Sequence, residues 1–389
     1  MSNGDHYDWP FLDDSHREIA ASIKKWAADV LPSFEHESEE NPDATAKKLV
    51  DKLAGAGWLQ YLVPASSGGV SEKLDTRAIC LIREHLAYYS GLADFAFIMQ
   101  GLGSGPITLF GNDKLKQEFL PAVIKGQNIA AFALTEPDAG SDVSAISTIA
   151  SKQGEHYILN GEKTLISNGG IADFYVVFAR TGEGEGTKGL SAFLVAADTP
   201  GLNTDERIQI IAPHPMGRLK FTDCKIPKDN LIGQPGEGFT IAMTTLDHFR
   251  PTVGAAALGM ARRAFDEAVR HVKSRKMFGG RLADLQMTEA AIADMALDID
   301  ASAALVYRAA WARDTGRDST KREASMAKLF ATEAAQRVID RAVQLFGGQG
   351  VVTGEPVETL YREVRALRIY EGASEIHKII IAREYLKTP

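Results

Sequence analysis

The chain has 389 residues, 45% of them hydrophobic, with a formal charge of -8 and two cysteines. That length and apolar content support two or three cores rather than one. The acid excess weighs against a general nucleic-acid binder, the lack of any run of about 18 uninterrupted apolar residues against a membrane span, and the isolation of Cys80 and Cys224 against a disulfide framework or a bound metal.

The opening Met1-Ser2-Asn3-Gly4-Asp5-His6 has neither the basic start and apolar run of a signal peptide nor the arginine-rich character of a transit peptide, so a cytoplasmic protein is expected. From there to residue 127 the chain reads as helical. Ser15 and Glu18 have capping-box spacing, and Ile19, Ile23, Trp26 and Val30 then share one face. Thr45 to Leu53 and Arg77 to Tyr89 repeat the pattern, with a Gly/Ser-rich turn at 65–69 between them. Gly101, Gly103 and Gly105 lack the strand-loop-helix context of a dinucleotide loop and read as close helix packing. Residues 128–240 change texture. His156 to Gly161 reads as a strand entering a tight turn, Phe174 to Ala179 and Leu190 to Val195 as buried strands, and Arg180 to Gly189 and Pro200 to Asp205 as surface loops. From 241 to 389, Val253 to Ser274, Leu285 to Trp311, Lys321 to Phe346 and a terminal segment form a four-helix bundle. The expected fold is therefore multidomain α+β: an N-terminal helical domain (1–127), a small antiparallel β-barrel or sheet domain (128–240) and a C-terminal helical bundle (241–389).

The segment Ile369-Tyr370-Glu371-Gly372-Ala373-Ser374 puts a lone carboxylate where a helix begins. Gly372 permits a tight turn, and Ser374 is a favoured capping residue for the helix that follows. An acid beside apolar Ile369 and Tyr370 has its proton affinity raised by desolvation, which makes a general base. An exposed turn glutamate is the ordinary reading of the same residues.

Five motifs set that reading aside. Leu134-Thr135-Glu136-Pro137-Asp138-Ala139-Gly140-Ser141-Asp142, Asn160-Gly161-Glu162-Lys163 with Ser167-Asn168-Gly169-Gly170, Arg275-Lys276-Met277-Phe278-Gly279 with Gln286, Gln344-Leu345-Phe346-Gly347-Gly348-Gln349-Gly350, and the Glu371 segment with Ile381-Ala382-Arg383-Glu384 occur in an order that resembles the flavin-dependent acyl-CoA dehydrogenase family over nearly the whole chain. The resemblance implies α,β-desaturation of a short, medium, branched or cyclic acyl-CoA, with Glu371 removing the α-proton and FAD taking the β-hydride. It assigns Phe132, Leu134, Thr135, Ser141, Ile166, Ser167, Arg275, Phe278, Gln286, Gln344, Gly348, Ala373 and Glu375 to the cofactor, and Ser141, Asp247, Arg250, Tyr370 and Gly372 to the substrate. It further implies an electron-transfer flavoprotein as acceptor and a homotetramer built as a dimer of dimers.

Plainer readings stand beside these. Thr135 suits a turn before Pro137, Phe346-Gly347-Gly348 a helix end, and Asp247 with Arg250 a surface salt bridge. Phe249 occupies the helix position from which some family members supply their base, and phenylalanine takes no proton. Leu165 stands where a flavin-contacting tryptophan is usual, and Ala373 where a threonine hydroxyl reaches the cofactor. A flavin oxidase or monooxygenase on the same scaffold and a non-catalytic acyl-CoA-binding protein are the alternatives.

Overall fold

The computed structural model describes residues 5–387 except 318; the first four, read above for targeting signals, lie outside it. In chain order come α1 (Asp14–Val30), α2 (Glu35–Glu40), α3 (Pro42–Gly55), α4 (Thr76–Tyr89), α5 (Gly91–Phe110) and α6 (Asp113–Ile124). The sheet region holds β1 (Ala130–Ala133), β2 (Ile149–Gln153), β3 (His156–Ser167), β4 (Phe174–Arg180), β5 (Leu190–Ala196), β6 (Leu202–Arg207), β7 (Met216–Pro227) and β8 (Leu231–Ile232). Then follow α7 (Gly238–Ser274), the hairpin β9 (Lys276–Met277) and β10 (Gly280–Arg281), α8 (Gln286–Asp314), α9 (Lys321–Phe346), α10 (Pro356–Leu367) and α11 (Ser374–Leu386). This helix, sheet, helix succession is the expected fold class. No helix among the described residues is long and apolar enough to cross a membrane.

By contact the chain gathers into two compact units, one of Met1–Glu35, Asp75–Asp94 and Asp247–Pro389, the other of His36–Leu74 and Phe95–Leu246. The second contains the whole eight-stranded sheet, in the order β6-β7-β3-β2-β4-β5-β8, with β1 beside β4. Its pairings are antiparallel except β1 and β2 against β4, which are parallel. β4 is buried from Phe174 to Ala179, as its unbroken apolar run requires of a strand covered on both faces. The side chain of Gln100 fastens β1 to α5, donating to the Asn128 carbonyl at 2.8 Å and accepting from the Ala130 N–H at 2.9 Å. Gly103 lets them touch, since a Cβ there would lie 2.7 Å from the Ala130 carbonyl carbon. Two sequence readings fail in this unit. Asn160-Gly161 is no turn, because β3 runs on to Ser167 through a bulge against β7. Residues 202–207 form the edge strand β6, exposed on both faces and so without the alternation that reveals a strand.

In the first unit α7 is packed through small residues, with Ala255, Ala256, Ala257, Ala261, Ala264 and Ala268 all buried. It starts well before Val253 because Pro251 lies inside the helix. The helix α10 was not anticipated, although Leu360, Val364 and Leu367 mark its buried face. At α1 the cap position is Asp13 rather than Ser15, and the Asp13 N–H donates to His16 Nδ1 at 3.4 Å. The turn at Asp5–Asp8 is anchored by buried charge: Glu84 lies 2.9 Å from Arg262 Nε and 3.5 Å from His6 Nε2, and accepts from the Tyr307 hydroxyl at 2.5 Å. Burial alone would raise the Glu84 carboxyl, but Arg262 and His6 hold it far below the usual range.

The sheet unit has a buried pair of its own. Glu136 accepts from Lys163 Nζ at 2.8 Å, from the Ser147 N–H at 2.7 Å and from the Thr148 N–H at 3.0 Å, while Lys163 also donates to the Leu134 carbonyl at 3.0 Å. Against its own burial, the lysine and these donors hold the Glu136 carboxyl down at about 2. Glu136→Ala leaves a buried ammonium without its partner and is expected to cost about 3–5 kcal/mol in chemical denaturation. Adding Lys163→Met is expected to recover part of that loss.

Candidate active site

Glu371 lies in the short link between α10 and α11. After α10 ends, the Ile369 and Tyr370 N–H groups donate back to the Ala366 carbonyl at 2.9 and 3.1 Å, and the Ser374 N–H closes the link onto the Arg368 carbonyl at 3.2 Å. Between these bonds the chain takes two successive left-handed steps, Glu371 at φ 52° and Gly372 at φ 103°. The first costs free energy for any residue with a Cβ, and the second suits glycine alone. Ser374 is not the cap expected of it. Ala373 holds that position without a side-chain bond, and the Ser374 hydroxyl donates to Glu333 at 2.5 Å.

Both carbonyls of this strained link are held by buried cations: Arg250 Nε donates to the Glu371 carbonyl at 3.2 Å, and Lys328 Nζ to the Gly372 carbonyl at 2.6 Å. The carboxylate itself is treated differently, for Glu371 Oε2 is enclosed and makes no hydrogen bond. Burial raises its proton affinity above the ordinary glutamate value, against the opposing pull of Arg83, Lys328 and Arg250. Two of those cations have acids of their own. Arg83 grips Asp94 through two bonds of 2.7 Å, and Arg250 pairs with Asp247 one helical turn away. Asp247 and Arg250, both buried, are therefore no surface salt bridge. Phe249 between them is fully buried.

Of the other residues assigned by resemblance, five gather at one edge of the sheet. The Thr164 N–H donates to the Thr135 carbonyl at 3.0 Å, and with Lys163 on the Leu134 carbonyl this draws the segment after β1 against the end of β3, beside Ile166 and Ser167. Phe132 packs on Phe178 at 4.8 Å within the same sheet. Leu165, just before Ile166 in β3, is left-handed, φ 54°, and exposed. Ser141 lies exposed on the loop beyond. A second group forms in the helical unit. The Leu282 N–H donates to the Arg275 carbonyl at 2.8 Å, closing the hairpin that carries Phe278 to the start of α8 at Gln286, and His271 stacks on Phe346 at 4.2 Å, bringing the end of α9 with Gln344 and Gly348 alongside. Ala373 and Glu375 sit at the start of α11, Ala373 half-buried and Glu375 exposed, and Tyr370 is partly exposed.

These groups suit a dinucleotide flavin in kind. Phe278 is 89% exposed and left-handed at φ 50°, an arrangement that gains nothing within the chain. Arg275, exposed beside it and without an ion pair among the described residues, is the right donor for a diphosphate. Thr135, whose carbonyl is anchored by the Thr164 N–H, and Ser167 at the end of β3 carry hydroxyls of the kind that can donate to a flavin ring. Sequence reasoning missed Lys328, Arg83 and Asp94. The signal was available for the lysine, which interrupts the buried stripe of Ala324, Ala327, Ala331 and Ala335 on α9, and for the arginine amid Ile79, Ile82 and Leu86 on α4.

Comparison with known proteins gives a consistent family. The chain matches the acyl-CoA dehydrogenase N-terminal domain over residues 13–127, the middle domain over 131–224 and the C-terminal domain over 236–386. It is 37% identical to the cyclohexane-1-carbonyl-CoA dehydrogenase of Geobacter metallireducens, over 89% of this chain and 91% of that one. It is also 37% identical to the CarC subunit of the caffeyl-CoA reductase-Etf complex of Acetobacterium woodii, over 94% and 95% of the two chains. The solved butyryl-CoA dehydrogenase of Megasphaera elsdenii superposes with a TM-score of 0.90 at 34% identity, covering 97% of this chain and 99% of that one.

A Cβ at position 372 would stand 2.9 Å from His377 Nε2 in a backbone that already disfavours a side chain. Gly372→Ala is expected to lower stability by about 1–3 kcal/mol in thermal or chemical unfolding, with the loss traced to this one link.

Proposed function

The chain belongs to the acyl-CoA dehydrogenase family of FAD-dependent oxidoreductases, and from that premise we propose that Glu371 is the general base that opens α,β-desaturation of an acyl-CoA thioester. One observation carries the reading: a carboxylate oxygen enclosed without a hydrogen bond, on a link whose carbonyls are both tied down. A side chain so placed has been given a high proton affinity and a fixed origin, the two requirements of a base that takes a weakly acidic C–H proton.

Deprotonation beside a thioester leaves negative charge on its oxygen. The Glu371 N–H, on the same fixed link, is the donor proposed to receive that oxygen, so base and oxyanion donor share one origin. FAD supplies the acceptor for the β-hydride when it is bound. Arg275, Phe278, Gln286, Gln344 and Gly348 would hold its diphosphate and adenosine portions, and Phe132, Leu134, Thr135, Ser141, Ile166 and Ser167, with Ala373 and Glu375, its ring and ribityl portions. Ser141, Asp247, Arg250, Tyr370 and Gly372 would flank the substrate. Since Asp247 and Arg250 are already paired, their part is to shape the wall beside the base rather than to bind a distant charge.

Relatives that act on cyclohexane-1-carbonyl-CoA and butyryl-CoA support a short, branched or cyclic acyl group, and the CarC relative supports an electron-transfer flavoprotein as partner. A cytoplasmic dimer of dimers completes the proposal.

Anaerobic mixing of purified flavoprotein with a panel of acyl-CoAs, followed by bleaching of the flavin absorbance, tests it. Glu371→Gln is expected to retain bound oxidised flavin and to lose bleaching by about 10²–10⁴-fold, the usual worth of a positioned base. Unchanged bleaching overturns the assignment. In the unsubstituted protein the rate is expected to fall as pH drops through a value above the ordinary 4.5 of a glutamate, because only the ionised carboxylate accepts the proton.

A further inference from the structure

We propose that Lys328 is a positioning residue for Glu371: its ammonium holds the Gly372 carbonyl and supplies, among the described residues, the one neighbouring buried cation with no carboxylate of its own, so that the base stays ionised and aimed while Lys328 keeps its proton. The inference rests on the reading of Glu371 as base.

Lys328 is wholly buried on α9, and its Nζ sits 2.6 Å from the Gly372 carbonyl oxygen. A carbonyl satisfies one donor but neutralises no charge. Around it, Arg83 of α4 is matched by Asp94 of α5, and Arg250 of α7 by Asp247. Glu333, one turn along α9, is engaged by Arg368 at the end of α10, at 2.8 Å, and by Ser374. On α11, Glu375 is exposed, and His377 is buried with its ring pushed down to about 3 by burial, Lys328 and Arg250, so it adds no charge. Among the described residues Lys328 makes no ion pair, and Glu371 is the charge that most favours its protonated form. A buried ammonium and an enclosed carboxylate oxygen thus compensate each other across a single carbonyl, without a direct hydrogen bond between them.

The sign of the pH response follows. Burial pulls the Lys328 ammonium down from 10.5 to about 8, with Glu371 resisting and Arg250 assisting. Below that value the ammonium grips the carbonyl and its field favours the carboxylate. As pH rises through it, the grip weakens to that of a neutral amine and the field vanishes. Glu371 then loses its anchor, and that loss of aim is what an alkaline limb would report. The acid limb of activity belongs to Glu371 and an alkaline limb near pH 8 to Lys328.

The test is the anaerobic bleaching rate at saturating acyl-CoA, recorded on both sides of that value for the holoenzyme and for Lys328→Gln, Lys328→Met and Glu371→Gln. The holoenzyme is expected to show the alkaline limb. Lys328→Gln keeps a donor without charge and is expected to lose the limb. Lys328→Met, which removes donor and charge together, is expected to slow bleaching by about 10²-fold with acyl-CoA affinity little changed, as for a displaced catalytic group. A carboxyl ¹³C NMR titration gives a readout independent of turnover, in which the Glu371 proton affinity is expected to rise in Lys328→Gln. A holoenzyme with no alkaline limb overturns the proposal without recourse to any variant. So does a Lys328→Gln protein with the original rate and limb, or an unshifted Glu371 titration. If Glu371→Gln is inert while Lys328→Gln behaves like the original, the base reading stands and only the lysine inference falls. If Glu371→Gln bleaches normally, the base reading itself has failed.

Discussion

A carboxylate that must be basic has to be kept away from water, and a carboxylate kept away from water must still be tolerated by the fold. The helical unit meets both demands by sorting its charges. Arg83 and Arg250 are quenched at short range by Asp94 and Asp247, so they reach Glu371 as dipoles more than as free cations. Full pairing with either arginine would have driven the glutamate down into the range of Glu84, which lies beside Arg262 and is useless as a base. The site therefore depends on arginines that sit near the base and are bonded to something else.

The same unit shows both outcomes of burying an acid. Glu84 is ion-paired: Arg262 and His6 lie against one oxygen, the Tyr307 hydroxyl donates to the other, and its role is to fasten the first described turn of the chain. Glu371 Oε2 has neither a hydrogen bond nor, among the described residues, an ion pair. An unsatisfied buried polar atom costs free energy. Glu371 is also the first of two successive left-handed residues, so the strain and the missing bond lie in one link, whose two carbonyls are anchored from helices α7 and α9.

Much of the fold could be read from residue order. Period-3.6 apolar stripes gave α4, α8 and α9 to within a few residues, and unbroken apolar runs gave β4 and β5, because a segment's own side chains fix those patterns. What escaped depended on partners. β6 is polar on both faces and exists because β7 lies beside it; the bulge in β3 looks like a turn until the strand beyond it pairs; Pro251 marks a break only where neighbouring helices do not hold the chain straight. At the site, motif resemblance located Glu371 and the flanking segments, and the structure brings Leu134, Thr135, Ile166 and Ser167 to one sheet edge. Lys328, Arg83 and Asp94 belonged to no motif. Their importance comes from what they face, and only a lysine or arginine interrupting an alanine or isoleucine stripe hinted at it.

Arg83 and Glu84 are consecutive residues on α4 and, a peptide apart, serve opposite errands. The first points its guanidinium toward Asp94 and feels the charge of Glu371, while the second reaches Arg262, His6 and Tyr307. A rigid helix cannot rotate one of them without dragging the other. Loosening of the turn at Asp5–Asp8 is thus transmitted through a single rung of backbone to the field around the base, and damage far from the chemistry in sequence would surface as altered acidity at its centre.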